Sequence, residues 1–216
     1  MGNVVAGVAQ VETSNESSRF IEAGGMMKKI RIQKDFWPFI ESVIIVGTET
    51  DTQHPNFLTC SWHSRVNQKP PQWGITLDHT RCSLNCIERN MTFSINYPGQ
   101  KLVKVTDYCG IYSGKDVDKG ALFTIFHGTL HGAPMIEECS VNIELEVKNI
   151  IELESDCLII GEIINTYSDE RYIVDHRVDV EKAESFFLTY PDFNYHTIQR
   201  HLGKAWKIGK KLVQVR

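Results

Sequence analysis

Hydrophobic alternation with a period of two is the strongest constraint on this chain. Residues 91–97 alternate Thr, Phe, Ser, Ile and Asn, and residues 141–147 alternate Val, Ile, Leu and Val with Asn and Glu. Successive strand side chains point to opposite faces, so this period marks strands with one face buried. Residues 42–47, 57–66, 73–77 and 157–167 are further strand candidates, rich in β-branched or aromatic side chains. Gly161, inside the last of these, marks a bulge or a close approach of backbone or ligand. Two short helices interrupt the strands, at residues 83–88 with Ser83 as N-cap, and at residues 102–108. Many strands, few short helices and frequent turns predict a mainly β fold, a closed or nearly closed antiparallel barrel.

Length and charge narrow the class. A chain of 216 residues with 42% hydrophobic and 23% charged side chains can bury a core without staples. A net charge of -4 provides no global basic field for nucleic acid or anionic membrane. The longest clear aliphatic run, Val43-Ile44-Ile45-Val46, suits a strand and is far too short to span a bilayer. Residues 1–26 lack sustained periodicity and read as a flexible extension, with Met26 and Met27 as alternative starts. Ala6 stands where a myristoylation signal has Ser or Thr, and no secretion signal is visible, so the cytoplasm is the expected compartment. Residues 27–216 form the expected domain, ending in a basic segment with Arg200, Lys204, Lys207, Lys210, Lys211 and Arg216 and no acid after Asp192.

Several chemistries are disfavoured. The six cysteines form no CxxC pair, which speaks against a zinc ribbon or thioredoxin-type site. No HExxH, GxSxG or GxGxxG occurs, so a zincin, a serine-hydrolase elbow and a Rossmann site are not expected. No side-chain nucleophile and no metal site are expected.

Three segments carry candidate chemistry. Asn56-Phe57-Leu58-Thr59-Cys60-Ser61-Trp62 sets small polar groups around one indole. On one strand, Thr59 and Ser61 would share a face opposite Cys60 and Trp62. Amides and hydroxyls can bind the edge of a planar heterocycle while an indole covers its face; a core tryptophan is the plainer reading. Asp78-His79-Thr80-Arg81-Cys82-Ser83 joins a strand to a helix start. Free helix amides and an arginine fork suit a phosphate; an ordinary capped helix is the alternative. Residues 106–119 combine two glycines with Lys115 and Lys119, one turn apart if helical, and with Asp107, Asp116 and Asp118. A surface loop with self-paired charges is the alternative there.

The order Asn56…Ser61-Trp62…Pro70-Pro71…Arg81…Ser83…Asn96…Asp107-Tyr108-Cys109-Gly110…Ser113-Gly114…Asp116-Val117-Asp118-Lys119, followed by Glu137-Glu138-Cys139 and Ile160-Gly161-Glu162, resembles the flavoredoxin branch of the flavin-reductase-like, FMN-binding split-barrel proteins. That resemblance implies a six-stranded Greek-key split barrel, a homodimer and one non-covalent FMN per subunit near the dimer interface. By the family pattern Asn56, Thr59, Ser61 and Trp62 line the ring and ribityl chain, and Thr80, Arg81 and Ser83 hold the phosphate. Lys119 faces the ring, with Phe193 near it. Cys60, Asn96, Ser113 and Lys115 complete the cofactor-binding candidates. Cys109 matches a family cysteine, with a flavin-contacting or redox role as one reading and a buried packing thiol as the other. Asp156-Cys157 departs from the pattern, which has a histidine there; an Asp156 carboxylate near the ring would disfavour an anionic reduced flavin. The implied function is an FMN-dependent oxidoreductase or electron carrier, with NAD(P)H or a redox protein as partner. A non-catalytic barrel that binds another ligand or a partner chain is the alternative.

Overall fold

The computed structural model describes residues 19–22, 25–32, 39–198 and 201–207. In chain order the elements are β1 (Arg19–Glu22), β2 (Gly25–Lys28), β3 (Phe39–Ser42), β4 (Ile44–Glu49), β5 (Pro55–Cys60), β6 (His63–Asn67), β7 (Gln72–Asp78), α1 (Cys82–Asn90), β8 (Thr92–Tyr97) and α2 (Val103–Ile111). They continue as β9 (Ile125–Phe126), β10 (Met135–Ile136), β11 (Val141–Glu152), β12 (Asp156–Ser168), β13 (Ile173–Val174), β14 (Arg177–Val178), α3 (Val180–Ala183), β15 (Phe186–Tyr190) and β16 (Asn194–Thr197). Within the expected N-terminal extension, β1 pairs with β2; residues 1–18, with the start motif, lie outside the described residues. Among the described residues no helix is long and apolar enough to cross a membrane.

Seven strands form one antiparallel sheet in the order β5-β4-β8-β11-β12-β7-β6. Its outermost strands, β5 and β6, are consecutive in the chain and separated only by Ser61 and Trp62. The stretch 57–66, expected as one strand, is therefore bent at this corner. One half pairs with β4 and the other with β7. The Thr76 amide donates to the Trp62 carbonyl at 2.8 Å and fixes the corner. Counted as one bent strand, the sheet has six strands and curls until its edges meet, as a split barrel does.

The alternation explains the core. Ile44 and Val46, Leu58 and Cys60, Ile75 and Leu77, Phe93 and Ile95, Ile143, Leu145 and Val147, and Cys157 and Ile159 all turn into one buried cluster, which Leu84 and Ile87 of α1 close. Ile45 faces the other way, into a second cluster with Phe57, Cys109, Ile136 and Cys139. β4 is thus covered on both faces, which is why residues 43–46 read as an unbroken apolar run. Gly161 is a close approach: a Cβ there would lie 2.8 Å from Phe93 Cε1 and 2.9 Å from Leu145 Cβ. The register of β11 on β12 also shifts opposite it, between Val147 and Asn149.

Buried polar groups lock these layers. Asn96, wholly buried, donates through Nδ2 to Ile45 O at 3.0 Å and to Ser94 Oγ at 3.0 Å. Its Oδ1 accepts from the Ile136 amide at 3.0 Å and from Asn142 Nδ2 at 2.7 Å. Glu144 is also wholly buried. Its carboxylate accepts from the amides of Thr129 and Leu130 at 3.2 and 2.8 Å, from Asn165 Nδ2 at 2.5 Å and from Tyr167 OH at 2.9 Å. Burial by itself pushes this carboxyl up, but the four donors outweigh it and hold it below the ordinary range. Lys119 is 2% exposed, and its Nζ donates to Phe57 O at 2.9 Å and Cys109 O at 2.8 Å, tying the 113–119 loop to β5 and α2. The C-terminal hairpin β15–β16 adds β3 to make a three-stranded sheet. Tyr195 OH anchors it to α2 by donating to Asp107 Oδ1 at 2.8 Å.

Two outcomes follow from these buried charges. Glu144→Gln sets an amide NH2 group among existing donors and should cost about 2–3 kcal/mol at neutral pH. Because the folded carboxyl sits below its unfolded value of roughly 4.3, its stabilisation is present above that pH and fades as the pH falls through the folded value. The gap between wild-type and Glu144→Gln urea midpoints should therefore close on acidification; a pH-independent gap would contradict the assignment. Lys119→Met leaves two buried carbonyls without their donor and should cost about 2–4 kcal/mol in the same assay.

Candidate functional site

The site is built around the end of α2. Helix C-termini leave carbonyls without intrahelical partners and carry partial negative charge. Two cations meet the carbonyls at its end and one hydroxyl meets a carbonyl one turn earlier. Lys119 reaches Cys109 O, Arg81 Nη1 reaches Gly110 O at 3.3 Å, and Thr59 Oγ1 donates to Thr106 O. The three sequence segments singled out above thus converge on one helix end.

Arg81 belongs to the turn that links β7 to α1. It is the N-cap residue of α1, in extended conformation, and no side chain caps the helix. The first amides of a helix have no i−4 acceptor; here the Leu84 amide bonds to Arg81 O at 3.1 Å, and an exposed guanidinium stands beside the helix start. Ser83 is not the cap that the sequence suggested. It lies inside α1, is 2% exposed, and its Oγ accepts from Asn56 Nδ2 at 3.0 Å. Thr80 is also differently engaged: its amide and hydroxyl donate to Asp78 Oδ1 at 2.8 and 2.5 Å. These bonds hold the Asp78 carboxyl below its ordinary range. Asp156 stands opposite Asp78 in the β7–β12 register and accepts from Ser155 Oγ at 2.5 Å. The departure from the family pattern therefore sits next to the anion turn.

The corner between β5 and β6 forms a second wall. Because the chain bends there, Thr59 and Ser61 do not share a simple strand face with Cys60 and Trp62 opposite. Cys60 is turned into the core, its Sγ donating to Trp62 O at 3.5 Å, and burial pushes the thiol up to about 12. Trp62 is 53% exposed. Ser61 Oγ lies 3.2 Å from Tyr190 OH, and Tyr190 packs against Phe193 at 5.2 Å between ring centroids. Phe193 has a positive φ of 53° and is 67% exposed. The C-terminal hairpin thereby brings an aromatic pair to the corner. Tyr190 was missed in the sequence, where only its place in the Tyr190-Pro191-Asp192-Phe193 turn hinted at it.

The lysine loop differs most from expectation. Residues 114–116 form a turn, so Lys115 and Lys119 are not on one helix face. Lys119 is committed to two backbone carbonyls, and burial pushes its ammonium below the ordinary lysine range. It is a buried strut between the 113–119 loop, β5 and α2. Lys115 is exposed, and its amide donates to Ser113 Oγ at 3.2 Å. Cys109 is wholly buried and its thiol is pushed up to about 11 by burial, which makes it a packing thiol. Asn96 spends its amide on the core network.

A cleft of about 700 Å³ runs between α1 and this loop, lined by Asn56, Cys82, Asn85, Gly114, Lys115 and Lys119 among others. Asn56 is 3% exposed, and its Oδ1 is buried without a hydrogen-bond partner. A Cβ on Gly114 would lie 2.0 Å from that oxygen, so only glycine lets the loop pass. Among the described residues no group of three or more His, Cys, Asp or Glu is placed to hold a metal ion.

Residues 38–186 match the family described as the flavin reductase like domain. Flavoredoxin from Methanosarcina acetivorans is 37% identical, covers 87% of this chain over 100% of its own, and superposes with a TM-score of 0.82. Flavoredoxin of Desulfovibrio vulgaris (Miyazaki F) is 27% identical, covers 85% of this chain over 100% of its own, and gives a TM-score of 0.78. The uncharacterized protein YddH of Escherichia coli (strain K12) is 27% identical over 140 residues, which are 63% of this chain and 74% of that one. The matched region takes in the β5–β6 corner, the anion turn and α2 together, and the chain belongs to the flavin-reductase-like family of split barrels, with flavoredoxins among its relatives.

Proposed function

We propose that this chain binds one FMN non-covalently and acts as a flavin-dependent oxidoreductase or electron carrier. The observation that carries this reading is the uncapped start of α1 with the exposed Arg81 guanidinium, set beside the half-exposed Trp62 corner. A phosphate suits the first, since helix amides and an arginine fork both donate to anions. A planar heterocycle suits the second, where Trp62 and Phe193 expose aromatic surface and Ser61 and Tyr190 offer hydroxyls.

FMN, when bound, supplies the hydride or single-electron chemistry. The chain's own residues bind and orient it. Arg81 and the first amides of α1 would fix the phosphate, and the Asp78 carboxylate is kept occupied by Thr80. Asp156, opposite Asp78, adds negative charge near that end and weakens anion binding. Trp62 and Phe193 would cover the ring and exclude water. Asn56 Oδ1 offers an unused acceptor in the adjoining cleft. The family relationship and the flavoredoxin likeness support this reading. For the electron source we propose either a nicotinamide nucleotide bound without a Rossmann motif or a redox protein, with the flavoprotein acting as a homodimer.

FMN added to the purified protein should give a yellow complex with quenched flavin fluorescence; a protein that neither colours nor quenches would sink the proposal. Arg81→Ala removes a charged hydrogen-bond donor and should weaken FMN binding about 10- to 100-fold without lowering the unfolding midpoint. Anaerobic stopped-flow mixing with NADH and NADPH distinguishes the two electron sources. Rapid loss of flavin absorbance with either nucleotide identifies a reductase, and no loss with both identifies a carrier fed by protein.

A further inference from the structure

Helix α1 has two unlike faces. Leu84 and Ile87 close the barrel core. Cys82, Asn85, Cys86 and Arg89 instead line the cleft of about 700 Å³ between α1 and the 113–119 loop. Steps of three and four residues mark one helix face, so the two cysteines stand one turn apart with their Cβ atoms roughly 5–6 Å from each other. Helical side chains lean toward the N-terminus, which carries the Cys86 sulfur toward Cys82. Both thiols are free. Cys86 is 4% exposed, and Cys82 is partly exposed beside it. Burial pushes the Cys86 thiol up and the Cys82 thiol adds to the effect, which sets the two sulfurs in each other's field. The other four cysteines are buried, and none of them lines this cleft.

The rest of the cleft wall suits a cation. Asn56 gives Nδ2 to Ser83 Oγ and keeps Oδ1 buried with no partner. Such an acceptor costs free energy until a donor or a positive charge faces it. Asp51, Asp116 and Asp118 also line the cleft and are exposed. Carboxylates along a cleft raise the local concentration of cations. Thiolates then choose among cations: they favour Cu(I), zinc and iron–sulfur clusters. Zinc and the clusters need a fuller ligand set than a thiol pair. Among the described residues no group of three or more His, Cys, Asp or Glu is placed to supply one. A soft monovalent ion that is content with two sulfur ligands is what remains.

We propose that Cys82 and Cys86 form a two-coordinate site for Cu(I) in the cleft between α1 and the 113–119 loop. Binding replaces both S–H bonds with S–Cu bonds and releases both thiol protons to solvent; no electron moves, and copper stays monovalent. The bis-thiolate complex carries a net negative charge. Lys119, which lines the same cleft and lies in electrostatic reach of Cys82, offsets that charge. Helix α1 is anchored to the core through Leu84 and Ile87, so the sulfurs are carried on a rigid element. This inference does not depend on the flavin reading.

The test is an anaerobic titration of the reduced full-length chain with Cu(I) buffered by bicinchoninate, a coloured indicator that competes for the ion. The wild type should withdraw a single equivalent of copper from the indicator, and Zn(II) in excess should not displace it. Losing a group that merely orients a metal ligand costs about 10–100-fold in affinity, so losing a ligand, in Cys82→Ser, should cost at least about 100-fold. Cys82→Met, which keeps a soft sulfur, should recover part of that loss. Cys86→Ala should match Cys82→Ser. If it fails to fold, the partly exposed Cys82 pair of variants carries the test, with unchanged far-ultraviolet circular dichroism as the check on folding. The proposal is overturned if the wild type takes no copper from the indicator, or if Cys82→Ser binds it as tightly as wild type. It is equally overturned if Zn(II) displaces the copper, or if Cys82→Met binds no better than Cys82→Ser.

Discussion

The end of α2 organises this molecule. Its exposed carbonyls are a concentration of negative potential in a place where the chain also needs to be dry. Lys119 answers from below, buried and bonded to Cys109 O and Phe57 O. Arg81 answers from outside through Gly110 O. Each bond joins a different element to the helix, so one electrostatic requirement positions β5, the anion turn and the 113–119 loop together. The β15–β16 hairpin joins the same helix through Asp107 and Tyr195. Without this convergence the three segments would be separate surface features, each with an ordinary explanation.

The barrel supplies the rigid frame for that convergence. Its interior is apolar and strictly alternating, but its outer layer is fastened by polar groups with nearly every capacity used. Asn96 bonds strand β4, segment Ile136 and Asn142 at once. Glu144 gathers a loop turn and two side chains from β12. Such groups are costly if half-satisfied and specifying when complete. They hold the layer over β4 in one arrangement, and α2 lies in that layer through Cys109.

Much of this was legible in the sequence, and the misses share a cause. The period-two strands, both helices and the close approach at Gly161 could be read because local pattern decides them. The turn at Arg81 was visible for the same reason, since a strand end, an arginine and a helix start are adjacent in the chain. What was misread depends on contacts between distant residues. Lys119 looks like a free cation until the Phe57 and Cys109 carbonyls are seen to bind it. Asn96 looks uncommitted until four partners are counted, and Ser83 looks like a cap until Asn56 claims it. The bend at Ser61-Trp62 has no proline or glycine to announce it. It arises because β5 and β6 pair with strands at opposite ends of the sheet, a fact of closure that no local window contains.

This division also clarifies which charges are free to act on a ligand. Of the two cations at the end of α2, the buried lysine is spent on the fold, and its ammonium is destabilised by burial. The arginine, exposed and held by a single long bond, keeps most of its donors. The carboxylates nearest it are arranged in the opposite sense: Asp78 is saturated by Thr80, while Asp156 across the register accepts from the neighbouring Ser155. A group that tunes a redox cofactor must be near it and must not already be neutralised by the protein. By that criterion Lys119, spent on two backbone carbonyls, would contribute less to the proposed flavin site than Arg81 and Asp156. The outward Arg81 and the Asp156 that stands across the register from Asp78 are therefore the charges by which the proposed site would be tuned, on a barrel that is the family's.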